Sequence, residues 1–268
     1  MSRIVVLKFG GELLEDPART KALATVVRKA AARGPLVVVH GGGREIDRAL
    51  ATAGIPKQQV DGLRVTDDAT LEVVVAVLAG TLNTRLVATL NASGVAAVGL
   101  TGADATVAPV RQAPLFAAAD GRKVSLGRVG VPKTSGRPVL LERLTAGGFV
   151  PVVTCVSAGP GGGLFNVNAD TLAANLAARL KARRLVVAGA TAGVLDAAGA
   201  TVPVLDAAGA RAMVRAGTAT AGMTAKLAAC RDAVKAGVRD VRIADGRTPA
   251  GLLAALTGGT SGPWTRVQ

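Results

Sequence analysis

The chain has one histidine, His40, only two cysteines and no tyrosine, and aromatic residues make up 2% of its 268 positions. A single histidine excludes metal centres built from several histidines. The cysteines, Cys155 and Cys230, are too few for a disulfide framework or a cysteine zinc site, so we expect two reduced, structural thiols. The scarcity of aromatic rings also leaves few stacking platforms for single-stranded nucleic acid.

Long apolar runs are missing as well. No run in the sequence approaches the roughly 20 consecutive apolar residues that span a bilayer. Residues 1–11, MSRIVVLKFGG, lack a signal-peptide pattern, because the apolar stretch is short and runs directly into a glycine turn. We therefore expect a soluble, cytoplasmic protein without a membrane partner.

Charge is abundant but dispersed. The formal net charge is +14, from 32 Lys and Arg against 18 Asp and Glu. Such an excess attracts anions, including nucleotides, carboxylates and nucleic acids. The basic residues form no dense run, however, so we interpret most of the charge as a solvated surface and expect no nucleic-acid partner.

Apolar strands, glycine-rich turns and amphipathic helices alternate along the chain, which predicts an α/β fold with a mainly parallel sheet covered by helices on both faces. Short β-branched runs predict the strands 4–9, 36–40, 96–100, 150–154, 184–188 and 241–244, with a possible last strand at 264–267. A long helical pattern covers about 66–93 and is possibly broken at Gly80. Residues 106–134 lack helical periodicity and predict strands and turns over the site. A soft boundary at 180–183 suggests two intimately joined lobes, 1–180 and 181–268, of one domain.

Glycine turns follow two of these strands. Gly41, Gly42 and Gly43 lie between a strand and a helix, where backbone N–H groups can bind an anion, although a triple glycine is as often merely a tight turn. Gly10 and Gly11 form a similar turn after a strand that carries Lys8. A lysine within an apolar strand is costly to bury without a partner, so we predict an anionic partner for Lys8.

The known phosphate-binding signatures are missing. The chain has no G-x-x-x-x-G-K-[ST] loop, no G-x-G-x-x-G after a strand, and no protein-kinase H-R-D or D-F-G set. A kinase with this sequence must therefore have a different architecture.

The sharpest cluster of polar residues is F-N-V-N-A-D-T, at the start of a predicted helix. Asn166 and Asn168 alternate along an extended segment and can face one ligand, while Asp170 lies in the first helical turn. Helix capping by Asn168, with Asp170 favouring the helix dipole, explains the same residues without a ligand. Gly222, Met223 and Lys226 form a further turn-to-helix element that indicates function only weakly.

Together these elements resemble the amino-acid kinase family and, within it, the acetylglutamate kinases. The resemblance covers essentially the whole chain and preserves the order of five motifs: VVLKFGG, VVVHGGGREID, DGLRVTD, FNVNAD and AGMTAKL. It implies a three-layer αβα sandwich, usually a homodimer, and transfer of phosphate from ATP to the side-chain carboxylate of N-acetyl-L-glutamate in arginine biosynthesis. Mg²⁺ would accompany the ATP. Residues 1–180 would bind the acyl amino acid and residues 181–268 the nucleotide.

The resemblance also implies residue roles. Lys8 and Lys226 would stabilise the transferring phosphoryl group, and Asp170 would organise both lysines. The substrate-binding positions would be Gly42, Gly43, Arg64, Asn166 and Asn168. Gly10, Gly11 and Gly41 would lie near the phosphates, and Gly189, Gly193, Gly222 and Met223 would belong to the nucleotide side. A carboxylate substrate is already ionised at neutral pH and needs no general base.

Several positions depart from the family pattern. Gly189 and Ala190 replace a polar pair, and Ala250 replaces a histidine associated with arginine feedback. The first strand begins at about residue 3, without an N-terminal helix that interlaces dimers into hexamers. We therefore expect an arginine-insensitive homodimer. The ending GPWTRVQ is also unusual, which makes the last strand uncertain.

Other functions are compatible with parts of the sequence. Related kinases phosphorylate aminoadipate or glutamate on a small acidic carrier protein, which the positive charge would suit, although DGLRVTD argues against this class. Aspartokinase and uridylate kinase fit less well. A third class is an inactive nucleotide-binding regulator or a basic nucleic-acid-binding protein, against which the joint presence of Lys8, Asp170 and Lys226 argues.

Overall fold

A computed structural model describes residues 4–216 and 221–268. The strands in chain order are β1 (Val5–Phe9), β2 (Leu36–His40), β3 (Gln59–Val60), β4 (Leu63–Arg64), β5 (Ala97–Thr101), β6 (Val110–Gln112), β7 (Phe116–Ala117), β8 (Lys123–Val124), β9 (Gly130–Pro132), β10 (Val150–Thr154), β11 (Val156–Ala158), β12 (Leu164–Asn166), β13 (Arg184–Gly189), β14 (Val204–Leu205), β15 (Val241–Asp245) and β16 (Trp264–Val267). The helices are α1 (Pro17–Ala31), α2 (Gly43–Thr52), α3 (Asp68–Val75), α4 (Asn83–Ala92), α5 (Val139–Ala146), α6 (Ala169–Arg179), α7 (Ala207–Arg215), α8 (Ala221–Lys235) and α9 (Pro249–Thr257).

The core of the molecule is an eight-stranded sheet in the order β14-β16-β15-β13-β1-β2-β10-β5. Its neighbouring strands are parallel except for β15 and β16, which are antiparallel. All five residues of β1, β2, β10 and β15 are buried, as expected for strands covered on both faces. The predicted α/β class with a mainly parallel sheet is confirmed.

Helices cover both faces of this sheet. On one face α1 contacts α4 and α9, and on the other α6 contacts α8, with α5 packed against β2 and β10. The predicted three-layer αβα sandwich is therefore confirmed. Four strands of the sheet come from residues 1–180 and four from 181–268, and the two sets meet where β1 pairs with β13. The division into two lobes stays a prediction.

The long helix after residue 66 differs from the sequence-based expectation. It is not broken at Gly80; instead, Ala76–Leu82 form a wider π-helical segment that joins α3 to α4. The resulting 25-residue segment, 68–92, is long and apolar enough to cross a membrane by length and composition alone, with a mean hydropathy of 1.7 over its test window. The segment contains no run of about 20 consecutive apolar residues, and its average passes because Val, Leu and Ala outweigh the polar positions between them. The core helix of a soluble protein passes the same test, and Leu78, Leu82, Leu86 and Leu90 are buried in the core.

The last strand is present despite the unusual ending of the chain. β16 pairs with β15, and the Arg242 guanidinium lies 5.0 Å from the centre of the Trp264 ring. Asp240 accepts hydrogen bonds from Nε of both Arg184 and Arg242, at 2.7 and 2.8 Å. Both arginines also donate to carbonyl groups near the end of α9, which ties α9 to the sheet.

Candidate active site

The carboxyl ends of β1, β2, β10 and β13 lie at one edge of the sheet, because these strands are parallel and in register. A cavity of about 570 Å³ opens there, lined by both glycine turns, the start of α6 and the ribbon of β6 to β9. Its lining residues run from Lys8 to Thr171. The prediction that residues 106–134 form strands and turns over the site is confirmed, since 113–117 and 126–131 line this cavity.

Lys8 and Asp170 line the cavity, and Lys226 joins them in one ion cluster. Nζ of Lys8 lies 2.8 Å from Oδ1 of Asp170, and Nζ of Lys226 lies 3.5 Å from the same oxygen. All three side chains are almost buried, with 7%, 10% and 12% exposure for Lys8, Asp170 and Lys226. Lys8 comes from the central strand β1, Asp170 from the first turn of α6 and Lys226 from α8. The predicted anionic partner of Lys8 is therefore Asp170.

The surroundings shift the pKa values of the three charged groups in different directions. Burial alone would lower the pKa of Lys8, but the adjacent Asp170 carboxylate reverses the effect and the pKa is raised. Burial and the charge of Lys8 lower the pKa of Lys226. Burial opposes ionisation of Asp170, yet Lys8 and Lys226 hold the pKa of that carboxyl below its usual value. The cluster thus carries two ammonium groups on one carboxylate, a net positive charge suited to anionic oxygens.

The two glycine turns contact one another and present backbone N–H groups. The N–H of Gly10 donates to the carbonyl of Ala188 at 2.9 Å, and that of Gly41 donates weakly to Phe9 at 3.4 Å. These two N–H groups extend the sheet and are not available to a ligand. Within residues 4–216 and 221–268, by contrast, the N–H groups of Gly11, Gly42 and Gly43 have no acceptor. These three glycines line the cavity, so their N–H groups can donate hydrogen bonds to an anion there.

Gly42 also has a packing requirement. A Cβ atom at this position would lie 2.5 Å from Leu82 and 2.9 Å from Leu78, so only glycine fits between the turn and the π-helical segment. α2 begins directly afterwards at Gly43, so its positive end faces the cavity.

Asn168 acts as the N-cap of α6. Its Oδ1 accepts hydrogen bonds from the backbone N–H groups of Asp170 and Thr171, at 2.9 and 3.0 Å. The capping interpretation of this residue is confirmed. The side chain also lines the cavity, so a substrate contact through its amide nitrogen stays a prediction.

Arg64 and Asn166 both line the cavity. Arg64 Nη2 donates to the carbonyl of Gly43 at 3.2 Å and to Asp47. Its Nη1 is buried and has no partner among the described residues, which leaves a guanidinium donor beside the cavity. Asn166 Nδ2 donates to the Thr66 hydroxyl at 3.2 Å, and Thr66 is completely buried.

His40 supports the glycine turn without facing the ligand. Its ring is fully buried, with Nδ1 at 3.1 Å from the carbonyl of Gly41 and Nε2 at 3.0 Å from the amide nitrogen of Asn83. The Asn83 nitrogen also donates to the carbonyl of Val152 at 3.0 Å. Nε2 must therefore accept and Nδ1 must donate, so the ring is neutral. Burial lowers the pKa of His40 to about 4.

The remaining predicted residues lie on the side of β13 and α8. Gly189 ends β13, and a Cβ there would lie 3.8 Å from Nζ of Lys226. Gly193 has a φ of +89°, and a Cβ there would lie 2.6 Å from the Thr265 hydroxyl, so its glycine is explained by packing against β16. Gly222 and Met223 lie in the first turn of α8. None of these four lines the cavity, and their nucleotide role stays a prediction.

The two cysteines flank the ion cluster. Both are free and buried, and burial raises the pKa of each thiol to about 12. They are structural thiols, as predicted.

Three residues of the site escaped the sequence analysis as site residues. His40 and Thr66 lie within motifs that were recognised, at positions next to predicted ligands, and position Gly41 and Asn166. Glu12, directly after Gly11, lies near both lysines, where its charge adds to the raised pKa of Lys8 and opposes the lowering of the Lys226 pKa that burial and Lys8 cause. A lone acid after a glycine turn has no periodic signal that would have identified it.

Comparison with known proteins is consistent with this geometry. Residues 3–245 match the model of the amino acid kinase family. An acetylglutamate kinase of Solibacter usitatus is 40% identical over 255 residues, which cover 95% of each chain. An acetylglutamate kinase of Zymomonas mobilis is 37% identical over 260 residues, covering 95% of this chain and 86% of the relative.

Solved structures agree on the fold. An N-acetylglutamate synthase from Neisseria gonorrhoeae, complexed with coenzyme A and N-acetyl-glutamate, superposes with a TM-score of 0.83 and 26% identity. The match covers 99% of this chain but only 59% of the synthase. An isopentenyl phosphate kinase superposes with a TM-score of 0.66 and 17% identity over 99% of this chain, and that likeness concerns the fold alone.

Proposed function

The chain belongs to the amino acid kinase family, and we propose on this basis that it transfers the γ-phosphoryl group of ATP to the side-chain carboxylate of N-acetyl-L-glutamate. The products are ADP and N-acetyl-L-glutamyl 5-phosphate. The curated relatives that match nearly the whole chain carry the name acetylglutamate kinase, which supports this substrate.

One observation carries the proposal. Two ammonium groups converge on one oxygen of Asp170, which lines a cavity whose glycine turns have unused N–H groups. Phosphoryl transfer between two anions needs charge stabilisation and positioning more than acid–base chemistry. Asp170 keeps both lysines in place, and the lysines neutralise the negative oxygens that pass between donor and acceptor.

The chemical step requires no general base. The substrate carboxylate is ionised at neutral pH, because its pKa is about 4.3. Its oxygen attacks the γ-phosphorus, the bond from that phosphorus to the β–γ bridging oxygen breaks, and ADP leaves with the electron pair. The only histidine is buried, neutral and engaged with Gly41 and Asn83, and so takes no part in proton transfer.

Arg64 and the asparagines account for substrate recognition in this proposal. The unpartnered Nη1 of Arg64 would bind the α-carboxylate, and Arg64 Nη2 is already held by Asp47 and Gly43. Gly42, Gly43, Asn166 and Asn168 complete the acyl-amino-acid site. Every residue that lines the cavity lies before residue 180, which favours residues 1–180 for the substrate; a nucleotide site in residues 181–268 rests on the family resemblance alone.

Magnesium would arrive with the nucleotide. Within residues 4–216 and 221–268 no group of three or more His, Cys, Asp or Glu side chains could hold a metal ion. The residues present therefore suit a cation whose ligands are mainly phosphate oxygens and water. Bound to ATP, Mg²⁺ would neutralise charge on the phosphates.

We also propose a cytoplasmic homodimer that serves arginine biosynthesis. Segment 68–92 is apolar on average, and Val73, Val75 and Val77 on it are only partly covered. Apolar helix faces of this kind suit a permanent interface with a second copy.

The other functions considered from the sequence are not favoured. The relatives that match nearly the whole chain are acetylglutamate kinases, with no indication of a carrier-bound substrate. The joint retention of Lys8, Asp170 and Lys226 in one buried cluster also argues against an inactive regulator.

A coupled assay of ADP release tests the proposal. Turnover should be rapid with N-acetyl-L-glutamate and at least about 100-fold slower with glutamate or aminoadipate, because neither carries the N-acyl group. Equal or faster turnover of carrier-bound aminoadipate would replace the proposed substrate. DNA binding that falls steeply with salt, without any turnover, would replace the proposed class.

A further inference from the structure

The Glu12 carboxylate occupies a space that glycines keep open beside the ion cluster. A Cβ atom at Gly10 would collide with this carboxylate, so a side chain there is excluded while Glu12 keeps its position. A Cβ atom at Gly189 would lie 3.5 Å from Oε1 of Glu12 and 3.8 Å from Nζ of Lys226. Glu12 and Lys226 therefore both lie beside the same open Cβ position at the end of β13.

This carboxylate has no dedicated partner. Within residues 4–216 and 221–268 it forms no ion pair and accepts no hydrogen bond, although its backbone carbonyl accepts one from Arg19. Its charge nevertheless favours the ammonium form of both lysines: it adds to the raised pKa of Lys8 and opposes the lowering of the Lys226 pKa, which burial and Lys8 cause. Glu12 is thus close enough to act on both ammonium groups without neutralising either by contact.

The consequence is a balanced formal charge before any nucleotide binds. Lys8 and Lys226 supply two positive charges, and Asp170 and Glu12 supply two negative ones. A triphosphate that approaches the lysines meets the Glu12 carboxylate as a like charge, which weakens its binding. A divalent cation between the phosphates and the carboxylate changes this repulsion into attraction, and carboxylate oxygens are ligands that Mg²⁺ prefers.

We propose that Glu12 couples nucleotide binding to the divalent cation, as a direct or water-mediated ligand of the metal that accompanies ATP. This inference rests on the proposed function. The described residues hold no acidic group sufficient for a resident metal, so the cation binds only together with the nucleotide.

Calorimetric titration of the full-length protein with ATP, in Mg²⁺ and in EDTA, tests the coupling. The quantity compared is the factor by which Mg²⁺ tightens ATP binding, that is, the Kd for ATP in EDTA divided by the Kd in Mg²⁺. This factor should be at least about tenfold larger for the unaltered protein than for Glu12→Gln. In EDTA, Glu12→Gln should bind ATP more tightly than the unaltered protein, because the repulsive charge is gone. Glu15→Gln is the matched control, since Glu15 pairs with Arg44 and Arg48, and should leave the factor unchanged.

A second variant and a direct metal signal make the result unambiguous. Glu12→Asp keeps the charge and should retain most of the coupling, even where Glu12→Gln folds poorly. Electron paramagnetic resonance of Mn²⁺ with the unaltered protein should show binding only when ATP is present. An equal effect of Mg²⁺ on the unaltered protein and Glu12→Gln, or tight Mn²⁺ binding without nucleotide, would overturn the role of Glu12. Absence of ATP binding in every condition would instead overturn the proposed function, and the role of Glu12 with it.

Discussion

Nζ of Lys8 lies 2.8 Å from Oδ1 of Asp170, and this buried pair is part of a cluster with more positive than negative charge, because Lys226 shares the same oxygen. Removal of one lysine leaves one ammonium on one carboxylate. Removal of the aspartate charge leaves two buried ammonium groups without a carboxylate in contact, because, among the described residues, Glu12 forms an ion pair with neither. The two kinds of substitution therefore differ in their effect on stability.

Lys8→Met and Asp170→Asn should both lower turnover at least about 100-fold, since the first removes an ammonium group that stabilises the transferring group and the second releases both lysines from their position. Their free energies of unfolding should differ. Asp170→Asn should cost about 3–5 kcal/mol through the uncompensated charges, whereas Lys8→Met should cost less than about 1.5 kcal/mol. Urea unfolding measures both, and an equal loss of stability would show that Lys8 is mainly structural.

Arg64→Lys should raise the KM for N-acetyl-L-glutamate about 10- to 100-fold, because lysine loses the forked donor while it keeps the charge. The KM for ATP should change little. Initial-rate kinetics with each substrate varied in turn separate the two effects. Arg137→Lys is the control, since Arg137 is exposed and pairs with Glu142. An equal rise in both KM values would place Arg64 outside substrate recognition.

His40 should stay neutral in the folded protein across the physiological range, because burial lowers its pKa to about 4. As the only imidazole, it should give one set of ¹⁵N resonances with the proton on Nδ1 from pH 8 to pH 5.5. A resonance that titrates near pH 6.5 would contradict the buried geometry.

The same residue predicts how stability depends on pH. The unfolded chain protonates His40 near pH 6.5 and the folded chain does so only near pH 4. Between these values the unfolded state binds more protons, so stability falls as the pH decreases. The loss from pH 7 to pH 5 should be about 2 kcal/mol. Urea titrations should show that His40→Asn lacks this part of the slope.

The proposed dimer interface is testable at Ala76, which is exposed on the outward face of segment 68–92. Ala76→Arg should convert a dimer into a monomer in light scattering, because a charge is costly in an apolar interface. Ala197→Arg, in an exposed turn after β13, should leave the mass unchanged. Identical masses for both variants would move the interface elsewhere.

Much of the fold was predictable from local patterns. Buried β-branched runs such as Val37–Val39 and the alternation with helices identify a parallel sheet, because few other folds bury such strands on both faces. The two-residue strand β14 and the π-helical segment 76–82 were missed. β14 depends on β16, a partner remote in the sequence, and the π-helical segment has no periodic signal; its Leu78 and Leu82 pack close to Gly42.

The site was predictable only in part. Lys8 was unusual within its strand, but its link to Asp170 depends on how β1 and α6 pack, which no local pattern contains. The sequence also could not show where the N–H groups of Gly10 and Gly41 point. Their glycine turns suggest donors to a ligand, yet both N–H groups donate to carbonyl groups of neighbouring strands. The role of Asn168 was predictable, because its side-chain oxygen accepts hydrogen bonds from N–H groups only two and three residues later, as the local rule for helix capping describes.

The central position of β1 has a consequence during translation. Its five residues are buried between β2 and β13, yet β13 is made only when residues 184–189 leave the ribosome. Until then the nascent chain presents an unpaired apolar edge in the middle of its sheet, a surface prone to aggregate. We expect chains that stop before residue 184 to depend on chaperones, and the enzyme to assemble only late in its own synthesis.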